Sequence, residues 1–138
     1  MNLHLRSPSD KEFSQIVDYI QEFELDSRAL QKEQFTAAFR DDELIGFGRL
    51  REHADGTELC SLGVVTQYRR QGIGKAIVKE LVQRAEQSVY LVCIIPEFFT
   101  PLGFEVVTEF PDSICDKLNY CVEELHVPES YVAMLFQK

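Results

Sequence analysis

From Glu58 to Glu86 the chain reads ELCSLGVVTQYRRQGIGKAIVKELVQRAE. A strand-like run passes through a Gly-rich turn with two arginines into an amphipathic helix, and this passage constrains the chain more than any other. Ile73, Ile77, Leu81 and Ala85 recur at helical spacing with Val78 and Val82 beside them, which predicts a helix from Gly72 to about Glu86 with one apolar face. At its start Gly72 and Gly74 let the backbone approach a ligand closely. The first amides of a helix have no intrahelical acceptor, and the macrodipole adds partial positive charge there. A phosphate or pyrophosphate is the natural occupant.

Charge supports an anion at this place. Between Gln67 and Arg84 stand Arg69, Arg70, Lys75, Lys79 and Arg84 against Glu80 alone, a net +4 in a chain of −9, which leaves −13 elsewhere. The overall acidity argues against nucleic acid as the main partner. Two other phosphate-binding patterns fail. A dinucleotide fingerprint needs a third glycine where Ile77 stands, and a Walker A loop needs Ser or Thr where Ala76 follows Lys75.

At 138 residues one domain is expected, spanning 1–138 and large enough for a real core. No apolar run approaches the length that spans a bilayer, so no membrane partner is expected. The start, MNLHLRSPSDKE, has no apolar signal region, and a cytoplasmic location is the default expectation. Cys60, Cys93, Cys115 and Cys121 have no metal-ligand spacing, and His4, His53 and His126 are scattered. No metal and no disulfide framework are expected.

Residues 3–6 read as a short strand, followed by a helix capped by Ser7 or Ser9, with Glu12 completing a capping box from Ser9. Phe13, Ile16, Val17, Ile20 and Phe23 give that helix its apolar face. A shorter helical piece is expected over Ser27–Gln34. FTAAFR and LIGFGRLRE form a hairpin around Asp41-Asp42-Glu43, and Ala54-Asp55-Gly56 turns into the strand ELCSLGVV. VYLVCII (Val89–Ile95) reads as a buried strand, so strand, helix and strand make a parallel crossover. After Pro96 a short helix or turn is expected to Leu102, then FEVVTEF as a strand. Pro111 to Leu125 reads as a short helix or irregular segment, and Tyr131–Phe136 as the last strand.

Leu62-Gly63-Val64, then Val65-Thr66-Gln67-Tyr68, then Arg69-Arg70-Gln71-Gly72-Ile73-Gly74 resemble the acetyl-CoA motif of the GNAT acetyltransferase superfamily. Thr66 stands where that family commonly has Pro. A second block, Phe98-Phe99-Thr100-Pro101-Leu102-Gly103-Phe104, resembles the family's F-Y-x-x-x-G-F signature. The resemblance implies an α/β (α+β) fold: a mixed, mostly antiparallel sheet of six to seven strands, helices on both faces, splayed between strands 4 and 5. It implies acetyl-CoA as co-substrate, with the pantetheine arm along the backbone of Leu62 and Val64. The pyrophosphate would lie on the turn of Arg69, Arg70, Gln71, Gly72, Ile73, Gly74 and Lys75. Gly63 would mark a strand bulge, with close packing as the plainer reading.

The activity so implied is N-acetyl transfer to the primary amine of a small molecule by direct attack in a ternary complex. Glu58, six residues before Val64, is the candidate general base; an exposed strand-end carboxylate is the plainer reading. Phe99 stands where the family's tyrosine acid would be, and becomes an apolar wall beside the thioester. Tyr90, Tyr120 or Tyr131 could supply a proton, the thiolate could leave unassisted, or catalysis is lost. That substitution keeps open a non-catalytic acyl-CoA-binding or sensing module. The acceptor is either an amino acid such as glutamate, as in one branch of the family, or a cationic polyamine-like amine drawn by the acidic remainder. Arg49, Arg51 and Lys117 could pair an acceptor carboxylate, with solvated surface charge as the plainer reading. PDSICDKLNYCVEEL is expected to be an acceptor wall or a homodimer surface.

Overall fold

The computed structural model describes residues 3–124 and 130–138. Along the chain come β1 (Leu3–Arg6), α1 (Asp10–Glu22), β2 (Phe35–Arg40), β3 (Glu43–His53), β4 (Gly56–Val64), α2 (Ile73–Arg84) and β5 (Val89–Cys93). Then follow α3 (Pro96–Phe99), β6 (Glu105–Val107), α4 (Asp112–Glu124) and β7 (Val132–Phe136). The strands hydrogen-bond in the order β1-β2-β3-β4-β5-β7-β6. Pairing is antiparallel at β1–β2, β2–β3, β5–β7 and β6–β7, and parallel at β4–β5. The parallel pairing is confined to Thr57↔Val89 and Glu58↔Tyr90, which is the splay expected between strands 4 and 5. No helix among the described residues is long and apolar enough to cross a membrane.

Contacts divide the chain into two compact units, Met1–Leu50 with Cys60–Arg84, and Arg51–Leu59 with Ala85–Lys138. In the first unit, strand parity decides which helix covers which face. Phe35, Ala37, Phe39, Leu44 and Phe47 form one apolar cluster with Ile16 and Ile20 of α1. On the other face, a Cβ at Gly46 would lie 2.9 Å from Ile77, and one at Gly48 3.0 Å from Leu81, so α2 seats directly on the strand backbone. Helices thus cover both faces here, as expected.

Helix α1 starts as its sequence dictates. Ser9 Oγ accepts from the Glu12 amide (3.2 Å) and Glu12 Oε1 accepts from the Ser9 amide (2.8 Å), a complete capping box. Arg6 grips the same carboxylate through both terminal nitrogens at 2.8 and 2.9 Å.

The segment after α1 differs from expectation. Instead of a helix over Ser27–Gln34 there is one 3-10 turn at Lys32–Gln34, and Ala29 is left-handed at φ 50. Arg49 is the cause. Fully buried, it donates to the carbonyls of Asp26 (3.2 Å), Arg28 (3.0 Å) and Ala29 (3.4 Å), to Gln34 Oε1 (2.9 Å) and to Ser61 Oγ (2.9 Å). Carbonyls turned toward a guanidinium cannot accept from the next helical turn. Arg49 is therefore neither a surface charge nor free to hold a substrate carboxylate.

In the second unit β7 pairs with β5 from Val89↔Phe136 to Cys93↔Val132, and with β6 from Glu105↔Leu135 to Val107↔Ala133. Strand β5 stops at Cys93, short of Ile95, because Ile95 leads into α3 with Pro96 at its first turn. Strand β6 keeps only three residues of FEVVTEF. Phe104 is drawn out of the ladder into a ring cluster, 5.7 Å from Phe99 and 5.5 Å from Phe136. PDSICDKLNYCVEEL folds as a thirteen-residue helix, α4, with Ile114, Lys117 and Cys121 buried and Val122 exposed; its final Leu125 lies outside the described residues.

The Arg6 hydrogen bonds, aided by those from Ser9, hold the Glu12 carboxyl down at about 2, from an ordinary 4.5. A depressed carboxylate contributes stability that is present above about 4.5 and fades as pH falls toward about 2. Glu12→Ala is expected to cost about 1 kcal/mol at pH 7 by loss of the capping box, and progressively less below pH 4. Urea unfolding at pH 7 and pH 3 measures both; an equal cost at the two pH values rules out the Arg6–Glu12 contribution.

Candidate functional site

The sequence-predicted anion turn lies wholly in the first unit. After β4 a 3-10 turn at Thr66–Tyr68 reverses the chain, and Arg69 is extended at φ −68 and ψ 156. Arg70 (φ 66) and Gly72 (φ 82) are both left-handed, and the Gly72 carbonyl accepts from the Ala76 amide at 3.1 Å as α2 begins. That places the amides of Ile73, Gly74 and Lys75 in the first helical turn, where the helix itself offers no acceptor. Left-handed residues just before a helix start turn successive amides toward one concavity, the geometry that takes anionic oxygens. A Cβ on Gly72 would meet nothing within 4 Å, so open space lies over the turn.

Three side chains fix the turn rather than reach outward. Arg69 Nε donates to the Val64 carbonyl at 2.9 Å and its guanidinium lies 4.9 Å from the centre of the Phe23 ring. Gln71 Oε1 accepts from Arg40 at 3.1 Å, Arg40 stands over the Tyr68 ring, and Tyr68 Oη donates to Glu43 at 2.9 Å. Arg69, Arg70 and Lys75 are the exposed cations of the turn. Leu62 and Val64 are half-buried at the end of β4. The strand irregularity expected at Gly63 falls elsewhere. Ser61 is the left-handed residue of β4, at φ 53, with its hydroxyl between Arg49 and the Asp26 carbonyl. Gly63 is required by packing, since a Cβ there would lie 2.6 Å from the Phe47 ring.

Glu58 lies in the second unit and is not an exposed strand-end carboxylate. It is fully buried, with Oε1 2.8 Å from His53 Nε2 and Oε2 3.2 Å from Lys117 Nζ. The lysine contact is close enough for an ion pair but not aligned as a hydrogen bond, so Oε2 has charge compensation without a hydrogen-bond partner. Two groups that sequence reasoning set aside are thus joined to one it selected. Lys117 is buried, not a surface charge; it shares the inward face of α4 with Ile114 and Cys121 at spacings of three and four, a signal legible in the sequence. His53 ends β3 and Gly56 begins β4, a two-residue connection that makes positions 53 and 58 diagonal neighbours on one face. Around them Glu52 accepts from Thr57 Oγ1 at 2.9 Å, and Asp55 binds the amide and hydroxyl of Ser113 at 3.1 and 2.5 Å. Those bonds hold the Asp55 carboxyl below its usual range.

Phe99 is buried in the same unit, edge-on to Phe98 at 4.9 Å and to Phe104 at 5.7 Å. Cys115 is exposed, and Cys60, Cys93 and Cys121 are buried. Burial raises the Cys93 thiol.

Removing the lysine alone strands a buried carboxylate. Lys117→Met is expected to destabilise by about 3–5 kcal/mol, and Lys117→Met combined with Glu58→Gln to recover much of that. Thermal or urea unfolding of the three variants completes the double-mutant cycle; additive costs rule out the buried pair.

Known proteins share this architecture. The acetyltransferase (GNAT) family model matches residues 2–104. N-acetylglutamate synthase from Neisseria gonorrhoeae, complexed with coenzyme A and N-acetyl-glutamate, superposes with a TM-score of 0.79 at 15% identity over 99% of this chain. This chain spans only 35% of that one. The Rv2747 protein of Mycobacterium tuberculosis, in complex with CoA and NLQ, gives 0.80 at 20% identity over 98% of this chain and 99% of its own. Arabidopsis thaliana Naa50, holding the bisubstrate analogue CoA-Ac-MVNAL, gives 0.68 at 16% identity over the whole of both chains. The family match over most of the sequence and the splayed seven-stranded sheet agree, and the chain belongs to the GNAT acetyltransferase family.

Proposed function

We propose that this protein transfers acetyl from acetyl-CoA to the primary amine of a small molecule, an amino acid or polyamine-like compound, in a ternary complex. The observation that carries the reading is the left-handed Arg70–Gly72 turn at the start of α2, which gathers free amides and three exposed cations in an otherwise acidic protein. These groups suit the CoA pyrophosphate. The amides of Arg70 to Lys75 bind it, and the backbone of Leu62 and Val64 takes the pantetheine arm. Arg69 and Gln71 act indirectly, by tying the turn to Val64 and Arg40.

An amine must lose its ammonium proton before it can attack the thioester. Glu58 is the acid–base group we assign to that step. Phe99 offers no hydroxyl, so the thiolate, with an ordinary thiol pKa near about 8.5, leaves without a tyrosine acid. A non-catalytic acyl-CoA-binding module is the second reading, and Phe99 is the observation that favours it.

Calorimetry with acetyl-CoA is expected to give binding that weakens about fivefold in Gly72→Ala, since a left-handed alanine costs about 1 kcal/mol. No binding of the wild type at millimolar acetyl-CoA defeats both readings. Thiol release with L-glutamate, L-lysine and spermidine separates them: turnover of any supports the transferase, and binding without turnover supports the module.

A further inference from the structure

Glu58 has no solvent exposure, and each of its oxygens faces a cation or donor already: His53 Nε2 on one, Lys117 Nζ on the other. A carboxylate so enclosed is badly placed to collect protons one by one. His53 is different, with its side chain 20% exposed. An ionised carboxylate only accepts hydrogen bonds, so at 2.8 Å the Nε2 atom carries the hydrogen and Nδ1 is left with its lone pair. We propose that the proton-accepting group is the His53–Glu58 pair, with Nδ1 of His53 the atom that takes the proton, and Glu58 the residue that orients the ring and stabilises the imidazolium. Lys117 is a positioning residue: its ammonium lies 3.2 Å from Glu58 Oε2 and holds that oxygen in place. This rests on the acetyltransferase reading above.

The balance of the step is simple. The acceptor ammonium gives one proton to Nδ1, directly or through a water. The neutral nitrogen then forms the C–N bond, the C–S bond breaks, and the second nitrogen proton ends on the CoA thiol. Imidazolium returns its proton to solvent, so each turnover yields N-acetyl product, CoA thiol and one proton.

Five groups set the electrostatics of the pair from the elements around it. They are Glu58 on β4, Lys117 on α4, Glu52 beside His53 on β3, Asp55 in the following turn, and Tyr90 on β5, in register with Glu58. Glu52 and Asp55 are each bonded to a hydroxyl, Thr57 and Ser113. Tyr90 is in register with the Glu58 backbone.

Glu58→Gln and His53→Gln separate the roles, because the glutamine amide keeps a donor at the Nε2 position but takes no proton. With acetyl-CoA saturating and the best amine of the panel, each single variant is expected to lose about 10²-fold in kcat/KM, and the double variant little more. The pH profile of kcat/KM is expected to differ between the wild type and His53→Gln. Nitrogen-15 spectra of the histidine rings provide a readout independent of turnover: His53 is expected as the Nε2–H tautomer, and Glu58→Gln to release that preference. An Nδ1–H tautomer in the wild type overturns the pair. So does a His53→Gln profile matching wild type at every pH while Glu58→Gln is slowed, which leaves the acetyltransferase reading intact. A wild type that binds acetyl-CoA but turns over no amine overturns that reading, and the pair's role with it.

Discussion

A guanidinium without solvent has to find acceptors inside the fold, and Arg49 finds five. Leaving any of its donors unpaired in a dry interior would cost more than a typical hydrogen bond contributes, so the surrounding chain is shaped to it. Three of the acceptors are backbone carbonyls from a single stretch, Asp26 to Ala29, which is why that stretch is neither helix nor strand. The fourth, Gln34, sits where β2 begins, and the fifth is the hydroxyl of Ser61. One side chain on β3 therefore sets the path from α1 to β2 and holds β4 at its left-handed residue. Asp26 adds an ion pair at 3.8 Å and turns its other contacts toward Arg28. The Leu62–Val64 end of β4 leads on to the anion turn.

The two functional features use polarity in opposite ways. At the start of α2 the donors are left unused by the helix, and the side chains that could crowd them, Arg69 and Gln71, are tied back to Val64 and Arg40. Open donors in a rigid frame bind an anion at little reorganisation cost. Around Glu58 the opposite holds. A buried carboxylate is compensated on both oxygens, and a small set of contacts from β3 and α4 determines its state. Such an ion pair contributes little to stability relative to apolar residues of the same size. In the mechanism proposed above, the pair serves to control where one proton sits.

Most of the fold was legible because its signals are local. The Ser9–Glu12 capping box, the α2 stripe of Ile73, Ile77 and Leu81, and the parallel crossover between β4 and β5 all follow from spacing alone, and all are present. The glycine–arginine turn into α2 was legible for the same reason, since its residues are contiguous. What sequence reading missed depends on contacts far along the chain. Ser27–Gln34 has helical composition, and only Arg49, fifteen or more residues away, shows why it cannot be one. Arg49 and Lys117 looked like surface charge because a charged residue is usually solvated; the spacing of Lys117 from Ile114 and Cys121 did mark an inward face, whereas the partners that bury Arg49 lie outside any local window. Gly63 was expected to be a kink because glycine permits one, whereas the ring of Phe47 needs the space and Ser61 takes the unusual dihedral.

Under the proposed acetyl transfer, a proton acceptor at the His53–Glu58 pair matters more than a hydroxyl at position 99, for reasons that lie in the chemistry of the two ends of the reaction. An alkyl ammonium with an ordinary pKa near 10.4 is about 99.9% protonated at pH 7, so without a proton acceptor nearly all bound amine is unreactive. The leaving thiolate, with a pKa near about 8.5, is a far weaker base than the attacking amine. It departs without a donor at a modest penalty. The base thus controls a factor near a thousand, and the acid a smaller one. Substituting the acid frees position 99 to serve packing: the Phe99 ring is buried edge-on between Phe98 and Phe104, where a phenol hydroxyl would need a partner that an all-carbon cluster does not offer. Substituting Glu58 brings no such return, because that carboxylate is the counter-charge for a buried lysine.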